Sequence, residues 1–302
     1  MRIVIFSRGA GLYSTQSLLR AGLRRRHQIE VVDHLQCSIL IEERTPRIYY
    51  GGLPLGEMEA VIPRIGASVT FHGASLIRQV EAMKIFTATR AEALIKARDK
   101  LRCLQQLAIA GVQVPKTFFL QNTQDLPSVL EWLGGAPVVV KLLESTHGVG
   151  VILAESRQTA VSVVEAFIRT GEKVLVQEFI KEAEGSDVRA FVVGGQIVAA
   201  MKRQALAGEF RSNLHRGGTA EVIRLSDLEE RVVKKAVQVM GLHIAGVDLL
   251  RSRRGPLVME VNASPGLEGI ETITGVDIAG RIIEFVENGA RRLSSARTAR
   301  TL

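Results

Sequence analysis

The sequence predicts a mixed α/β and α+β protein, with a small parallel-sheet unit first and two α+β lobes after it. Three observations carry this. Apolar runs of strand length alternate with helical patterns over residues 1–96, as a parallel sheet requires. From residue 97 the pattern changes to strands with antiparallel signals, including the tight turn Gly194-Gly195. Near the carboxyl end, two apolar strands each carry oxygen side chains where another aliphatic residue would pack.

The elements follow in order. Ile3-Val4-Ile5-Phe6 reads as a buried strand, residues 18–26 as a basic helix, Ile29-Glu30-Val31-Val32-Asp33 as a second strand and Ala60-Val61-Ile62-Pro63-Arg64-Ile65 as a third. Gly9-Ala10-Gly11 after the first strand is a fragment of a dinucleotide fingerprint. Its third glycine is missing, which argues against NAD there. Ala97-Arg98-Asp99-Lys100 leads a helix through Leu101, Leu104 and Leu107 that stops at Gly111. The segment Val114-Pro115-Lys116-Thr117-Phe118 follows, then strands expected at residues 138–143, 151–154 and 174–180, with helices at 126–133 and 159–169. Strands 187–193 and 196–202 form a hairpin, and a helix covers 225–240. A ligand-bearing hairpin and a closing helix at 277–288 complete the fold. The expected divisions are 1–96, 97–180, 181–290 and a basic, disordered tail at 291–302.

Composition bounds the function. With 302 residues, 46% hydrophobic and 23% charged, the chain is a folded protein rather than a disordered one. No stretch is apolar for long enough to cross a bilayer, and the opening residues read as strand and turn rather than signal peptide. Cys37 and Cys103 match no metal spacing and read as reduced thiols of a cytoplasmic protein. The net charge of +8 suits nucleic acid, an anionic surface or acidic substrates. Basic and aromatic residues do not interleave as in single-strand binders, so an acidic substrate explains the charge at least as well.

The chemistry is concentrated in a few segments. In a hairpin centred near Arg254, Asp248 faces Glu260, and Asn262 shares the face of Glu260. Gly246 is expected opposite Asn262, leaving room for a ligand, while Val247, Leu249, Met259 and Val261 form the opposite, apolar face. Three converging oxygen ligands suit a hard cation such as Mg²⁺; a hairpin with one face in water is the competing reading. Lys141 ends the apolar run Pro137-Val138-Val139-Val140 and must reach water or meet an anion. The following loop, Ser145-Thr146-His147-Gly148-Val149-Gly150, can cover phosphates or be an ordinary turn. Glu178, with Phe179 beside it, ends a strand able to present groups to an adenine edge, or it lies at a plain surface end. Asp187 and Arg189 share a face and read as a surface salt bridge. Arg211 and Arg216 complement phosphate or carboxylate oxygens, and Asn213 can complete their shell. Each feature is ambiguous; together they read as a nucleotide–Mg²⁺ site.

This order resembles the ATP-grasp fold. Ala97-Arg98-Asp99-Lys100, Phe210-Arg211-Ser212-Asn213-Leu214-His215-Arg216-Gly217-Gly218 and Met259-Glu260-Val261-Asn262-Ala263-Ser264-Pro265-Gly266 resemble the RimK family of α-L-glutamate ligases. Ser7-Arg8 and Pro63-Arg64-Ile65-Gly66 extend the likeness nearly end to end. By that resemblance Lys100 and Lys141 hold ATP phosphates, Glu178 and Phe179 contact adenine, and Asp187 meets the ribose end. Arg211, Ser212 and Asn213 line the phosphates, with Arg211 or Arg216 stabilising an oxyanion. Asp248, Glu260 and Asn262 bind two Mg²⁺ or Mn²⁺ ions.

The implied reaction is ADP-forming carboxylate–amine ligation through an acyl phosphate. The partners it implies are L-glutamate and the acidic C-terminus of the sixth small-subunit ribosomal protein, with poly-α-glutamate as a further product. A homo-oligomer without direct nucleic-acid or membrane binding is expected. A related ligase acting on a small molecule or an amino-group carrier protein is the alternative. An ATP-switched ribosome- or nucleic-acid-binding module is a third.

Overall fold

A computed structural model describes residues 1–143, 150–212 and 217–298. Four parallel strands form the first sheet: β1 (Arg2–Ser7), β2 (Gln28–Val32), β6 (Ala60–Arg64) and β7 (Phe86–Thr87), in the order β2-β1-β6-β7. Helices α1 (Tyr13–Arg24), α2 (Thr70–Ala82) and α3 (Ala91–Arg98) accompany it. Between β2 and β6 lies a small antiparallel sheet of β3 (Cys37–Leu40), β4 (Arg47–Tyr50) and β5 (Leu53–Pro54). Sequence patterning missed it because strands this short show too few alternations to stand out.

Next comes α4 (Lys100–Ile109), whose N-cap Asp99 accepts the Arg102 N–H at 2.9 Å. An antiparallel sheet follows, of β8 (Thr117–Leu120), β9 (Val138–Leu142), β10 (Val151–Ala154) and β11 (Val174–Glu178), in the order β10-β9-β11-β8. Helices α5 (Leu126–Trp132) and α6 (Arg157–Arg169) cover it. Leu126, Leu130, Val138, Val140, Val164 and Val176 build a core that belongs to this unit alone.

The last sheet is antiparallel: β12 (Ser186–Val193), β13 (Gln196–Gln204), β14 (Thr219–Val222), β15 (Ile244–Ser252) and β16 (Gly255–Asn262), in the order β14-β13-β12-β15-β16. The β12–β13 turn uses positive φ at both Gly194 (60°) and Gly195 (80°), the two-glycine geometry that matches strand twist. Helices α7 (Asp227–Met240), α8 (Glu268–Thr274) and α9 (Ile278–Thr298) complete the chain. Ser226 and Glu229 close a capping box on α7.

Two cores tie this sheet to the first. Val4, Phe6 and Val61 pack in one cluster with Val247, Leu249, Val258 and α7. Ile3, Ile5 and Ile62 pack in another with Phe191, Met201 and the apolar face of α9. The first and last sheets therefore share their hydrophobic interior, while the middle unit keeps its own.

Three expectations are corrected. The tail is not disordered from 291, because α9 runs on to Thr298. Gly289 does not end that helix: a Cβ there would sit 2.2 Å from the Phe86 ring, so glycine lets α9 lie against β7. Second, Met259 does not share the apolar face of the β15–β16 hairpin, although the turn lies at Arg253-Arg254 as expected. Ser252 pairs with Gly255 and Leu249 with Val258, and a bulge at Met259 then restores Asp248 opposite Glu260. Val258, not Met259, consequently joins Leu249 in the core. Third, Gly246 does pair with Asn262, but the space above it is filled by Pro265, whose Cβ lies 2.9 Å from where a Gly246 Cβ would be. The chain folds back after Asn262, and the glycine admits proline rather than ligand. Gly246→Val should therefore lower stability by about 1–3 kcal/mol through overpacking, read as a reduced urea midpoint at unchanged m-value.

Candidate nucleotide and metal site

The bulge at Met259 has a chemical result. In an unbroken strand, Val258, Glu260 and Asn262 would face the same way. The extra residue sends Val258 into the core and turns Glu260 and Asn262 to the other face, beside Asp248. Asn262 Nδ2 donates to Glu260 Oε1 at 2.9 Å.

Asp248 is almost wholly buried and is gripped by arginines. Arg189 forks onto it at 2.7 and 2.6 Å, and Arg203 reaches the same carboxylate at 3.1 Å. Arg203 also forks onto Asp187, with both contacts at 2.6 Å, and the Ser212 hydroxyl donates to Asp187 at 2.5 Å. Asp187 and Arg189 are therefore not a surface pair. Each crosses to a neighbouring strand, Asp187 to Arg203 and Arg189 to Asp248, and Asp187 is buried. Burial alone would raise the Asp248 carboxyl, but Arg189 and Arg203 hold it well below the ordinary carboxylate range. Glu260 moves the other way: burial, then the neighbouring Asp248 charge, raise it.

Two lysines converge on the same point from the middle unit and the start of α4. Lys141 on β9 donates to Gln177 Oε1 at 2.7 Å, and Gln177 in turn donates to Thr117 Oγ1 at 2.7 Å. Burial pulls the Lys141 ammonium down to about 8; the Glu260 charge opposes this and Lys100 adds to it. Lys100 donates to the Leu142 carbonyl at 3.0 Å and is likewise lowered by burial against the pull of Glu260. Lys100, Lys141 and Glu260 thus share one electrostatic neighbourhood, although they come from three separate segments of chain.

Glu178 ends β11, accepts the Lys116 backbone N–H at 2.7 Å and pairs with Arg254 from the β15–β16 turn. The edge-to-face pair of Phe179 and Phe210, with centroids 6.5 Å apart, and the Arg211 guanidinium 5.4 Å from the Phe210 centroid extend this rim. Arg211 forks onto Glu209 and donates to the Val151 carbonyl at 3.3 Å, so it reaches the edge of the middle sheet. Asn213, Arg216 and the loop at 144–149 lie outside the described residues. Sequence reasoning missed Arg203 and Gln177. Gln177 follows the apolar Val174-Leu175-Val176, the same signal that marked Lys141, whereas Arg203 lies in the polar run Lys202-Arg203-Gln204, which gave no such signal.

The donor set suits a hard cation. Two adjacent carboxylates and an amide offer oxygen ligands without sulfur or imidazole, and an ionised carboxylate bonded to arginine keeps lone pairs for a metal. Among the described residues no group of three or more His, Cys, Asp or Glu could hold a metal ion, so the fit here rests on two carboxylates and the Asn262 amide. Phosphate oxygens would suit the same neighbourhood, where Lys100 and Lys141 add positive charge.

Comparison with known proteins agrees with this geometry. A model of the RimK-like ATP-grasp domain matches residues 97–286, and one of the RimK PreATP-grasp domain matches residues 1–94. The chain belongs to the RimK-like ATP-grasp family. A protein of Vibrio cholerae serotype O1 described as a probable alpha-L-glutamate ligase is 53% identical over 290 residues, covering 96% of each chain. Among solved structures, a RimK domain ATP-grasp protein from Sphaerobacter thermophilus superposes with a TM-score of 0.73 at 23% identity, covering 95% of this chain and 99% of that one. The ATP-grasp ligase PsnB, complexed with a minimal precursor, Mg and ADP, superposes with a TM-score of 0.75 at 18% identity, covering 96% and 98%. The fold is ATP-grasp, and this family member is an ATP-dependent ligase. No helix among the described residues is long and apolar enough to cross a membrane.

Two outcomes test the electrostatics. Arg203→Met leaves buried Asp187 and Asp248 short of a counter-charge and should cost about 3–5 kcal/mol in urea unfolding. Lys141 titrates near 8 in the folded chain against an ordinary 10.5. Between those values the unfolded chain holds more protons, so this residue makes stability rise with pH across that window. Lys141→Met should therefore stabilise the ligand-free protein by about 1 kcal/mol or more at pH 7 while abolishing nucleotide binding, and the stability gain should vanish above about pH 10.5. Thermal melts with and without ATP across pH read both effects.

Proposed function

We propose that this ligase adds L-glutamate to the C-terminal carboxylate of a small-subunit ribosomal protein, through an acyl-phosphate intermediate and with release of ADP. One observation carries the reading. The carboxylate of Asp248, held by Arg189 and Arg203, and that of Glu260 beside it stand in the same neighbourhood as the partly buried ammonium groups of Lys100 and Lys141. That pairing serves phosphoryl transfer. A free carboxylate is a poor electrophile; phosphorylation supplies its leaving group, and the amine of glutamate then displaces phosphate. The glutamate assignment is supported by the relatives described as probable alpha-L-glutamate ligases.

Within the chain, Lys100 and Lys141 would bind and orient phosphate oxygens, and Gln177 holds the Lys141 ammonium in position. Asp248, Glu260 and Asn262 would hold up to two divalent ions, Mg²⁺ or Mn²⁺. An ion held there would offset charge on the transferring phosphoryl group. Arg211, already turned toward the middle sheet, would stabilise negative charge as the tetrahedral adduct forms. Glu178 and Phe179 would line the adenine end, and Ser212 and Asp187 the polar floor. The excess positive charge suits an acidic acceptor tail, and a product ending in glutamate is itself a new acceptor, so repeated addition and free poly-α-glutamate follow from the same chemistry. Assembly as a homo-oligomer belongs to the same reading.

The experiment incubates the protein with ATP, Mg²⁺, L-glutamate and candidate acceptors, and follows ADP release together with acceptor mass. Glutamate-dependent ADP release and a mass gain of whole glutamate residues on a ribosomal protein are expected. Failure of hydroxylamine to trap an acyl phosphate from any acceptor would remove the acyl-phosphate mechanism. Glu260→Gln should cut turnover by about 10²-fold or more while leaving the melting temperature near that of the parent; parent-like ADP release by this variant would refute the metal assignment.

A further inference from the structure

Two arginines lie beside the site and have no part in the chemistry above. Arg64 ends β6 and Arg98 ends α3. Arg64 donates to the Pro265 carbonyl at 2.7 Å, and Arg98 donates to the Ile65 carbonyl at 2.6 Å. Each thereby ties the first sheet or its helix to a loop: Pro265 stands three residues past Asn262, and Ile65 directly follows Arg64. Neither Arg64 nor Arg98 makes an ion pair with a carboxylate among the described residues, unlike Arg25, Arg189, Arg203 and Arg251. The Arg98 Nε and the Ser264 Oγ are both buried, and neither makes a hydrogen bond among the described residues.

Such an arrangement is costly for structure alone. Burial, and then the nearby Arg98 charge, pull the Arg64 guanidinium down to about 10. Two neighbouring guanidinium groups lacking a partnered anion are retained where a ligand supplies the missing charge. Glu260 attracts Arg98, but that carboxylate is already shared with Asp248 and Asn262. The position is favourable on independent grounds. The first sheet runs β2-β1-β6-β7, so its order reverses between β1 and β6. Open parallel sheets bind ligands outside the carboxyl ends of the strands at such a reversal, and Ser7 at the end of β1 pairs there with Arg64 at the end of β6.

We infer that Arg64 and Arg98, with the Ser264 hydroxyl, form a seat for a substrate carboxylate at the carboxyl ends of β1 and β6, beside Glu260. The inference rests on the ligase reading above and extends it to substrate recognition. A guanidinium fork matches a carboxylate, and two sources carry one: the incoming amino acid and the C-terminal end of the acceptor. Lys100 and Lys141 already serve the nucleotide, so ATP should be indifferent to this seat.

The test measures KM separately for ATP, L-glutamate and an acceptor peptide with a free C-terminus, in Arg64→Gln, Arg98→Gln and the corresponding lysine variants. In the glutamine variants, KM for one of the two carboxylate substrates should rise by about tenfold or more, with ATP KM within about threefold of the parent. The lysine variants, which keep the charge without the fork, should recover part of the loss. A shift confined to glutamate places the amino acid in the seat, and one confined to the peptide places the acceptor there. Unchanged KM for both, or an ATP KM that rises in step, overturns the seat. If the glutamine variants do not fold, the lysine variants decide, because a lost fork still weakens carboxylate binding. Calorimetry adds a readout free of turnover: the parent should bind the peptide more tightly than its C-terminal amide if the acceptor occupies the seat, and Arg64→Lys should reduce that preference. A parent enzyme that uses another amino acid refutes the glutamate assignment alone, and the same KM comparison is then made with that amino acid.

Discussion

A buried lattice of arginine and aspartate underlies this site. Asp248 can remain an anion beside Glu260 inside a folded protein because Arg189 and Arg203 surround it. Arg203 is in turn fixed by Asp187, and Asp187 by Ser212. Isolated charges at such depth would be neutralised or expelled, whereas a set joined by short bidentate contacts stays charged. Three adjacent strands contribute, so the register of the last sheet is also the register of its electrostatics. A one-residue slip would turn each of these side chains to the wrong face.

The division of the hydrophobic interior gives this lattice its purpose. The last sheet is built into the first through shared cores and α9, which makes a single base for Asp248, Glu260, Asn262 and the arginines at the ends of β6 and α3. The middle unit has its own core and brings Lys141, Gln177 and Glu178. Carboxylates stand on one body and ammonium groups on or beside the other, and they meet across the junction. Arg211 bonded to Val151 and Arg254 paired with Glu178 are contacts between the same two bodies. In the proposed reading a phosphate chain would meet the lysines, and its oxygens would share a cation with the carboxylates.

Much of this was legible in the chain. The parallel start, the antiparallel remainder and the Gly194-Gly195 turn follow from patterning. The pairing of Asp248 with Glu260 and of Gly246 with Asn262 also follows, although the unseen bulge exchanges Met259 for Val258 on the apolar face. The short strands between residues 33 and 60 left too weak a periodic signal, and α9 outran its expected end because Gly289 serves packing against Phe86. The partners of Asp187 and Arg189 were not legible, since spacing along one strand says nothing about the neighbouring strand.

The sequence by itself determined which residues bear the chemistry: oxygen and ammonium side chains in apolar strands stand out because burying them has a free-energy cost that ordinary packing does not explain. It also determined the family, through strings specific to the RimK-like ATP-grasp proteins. Only the tertiary structure decided what each charge faces. Whether Asp248 meets water, a lysine or two arginines depends on sheet order and on one bulged residue. Electrostatic energy falls with distance, and distances between segments far apart in the chain exist only once the sheets have paired.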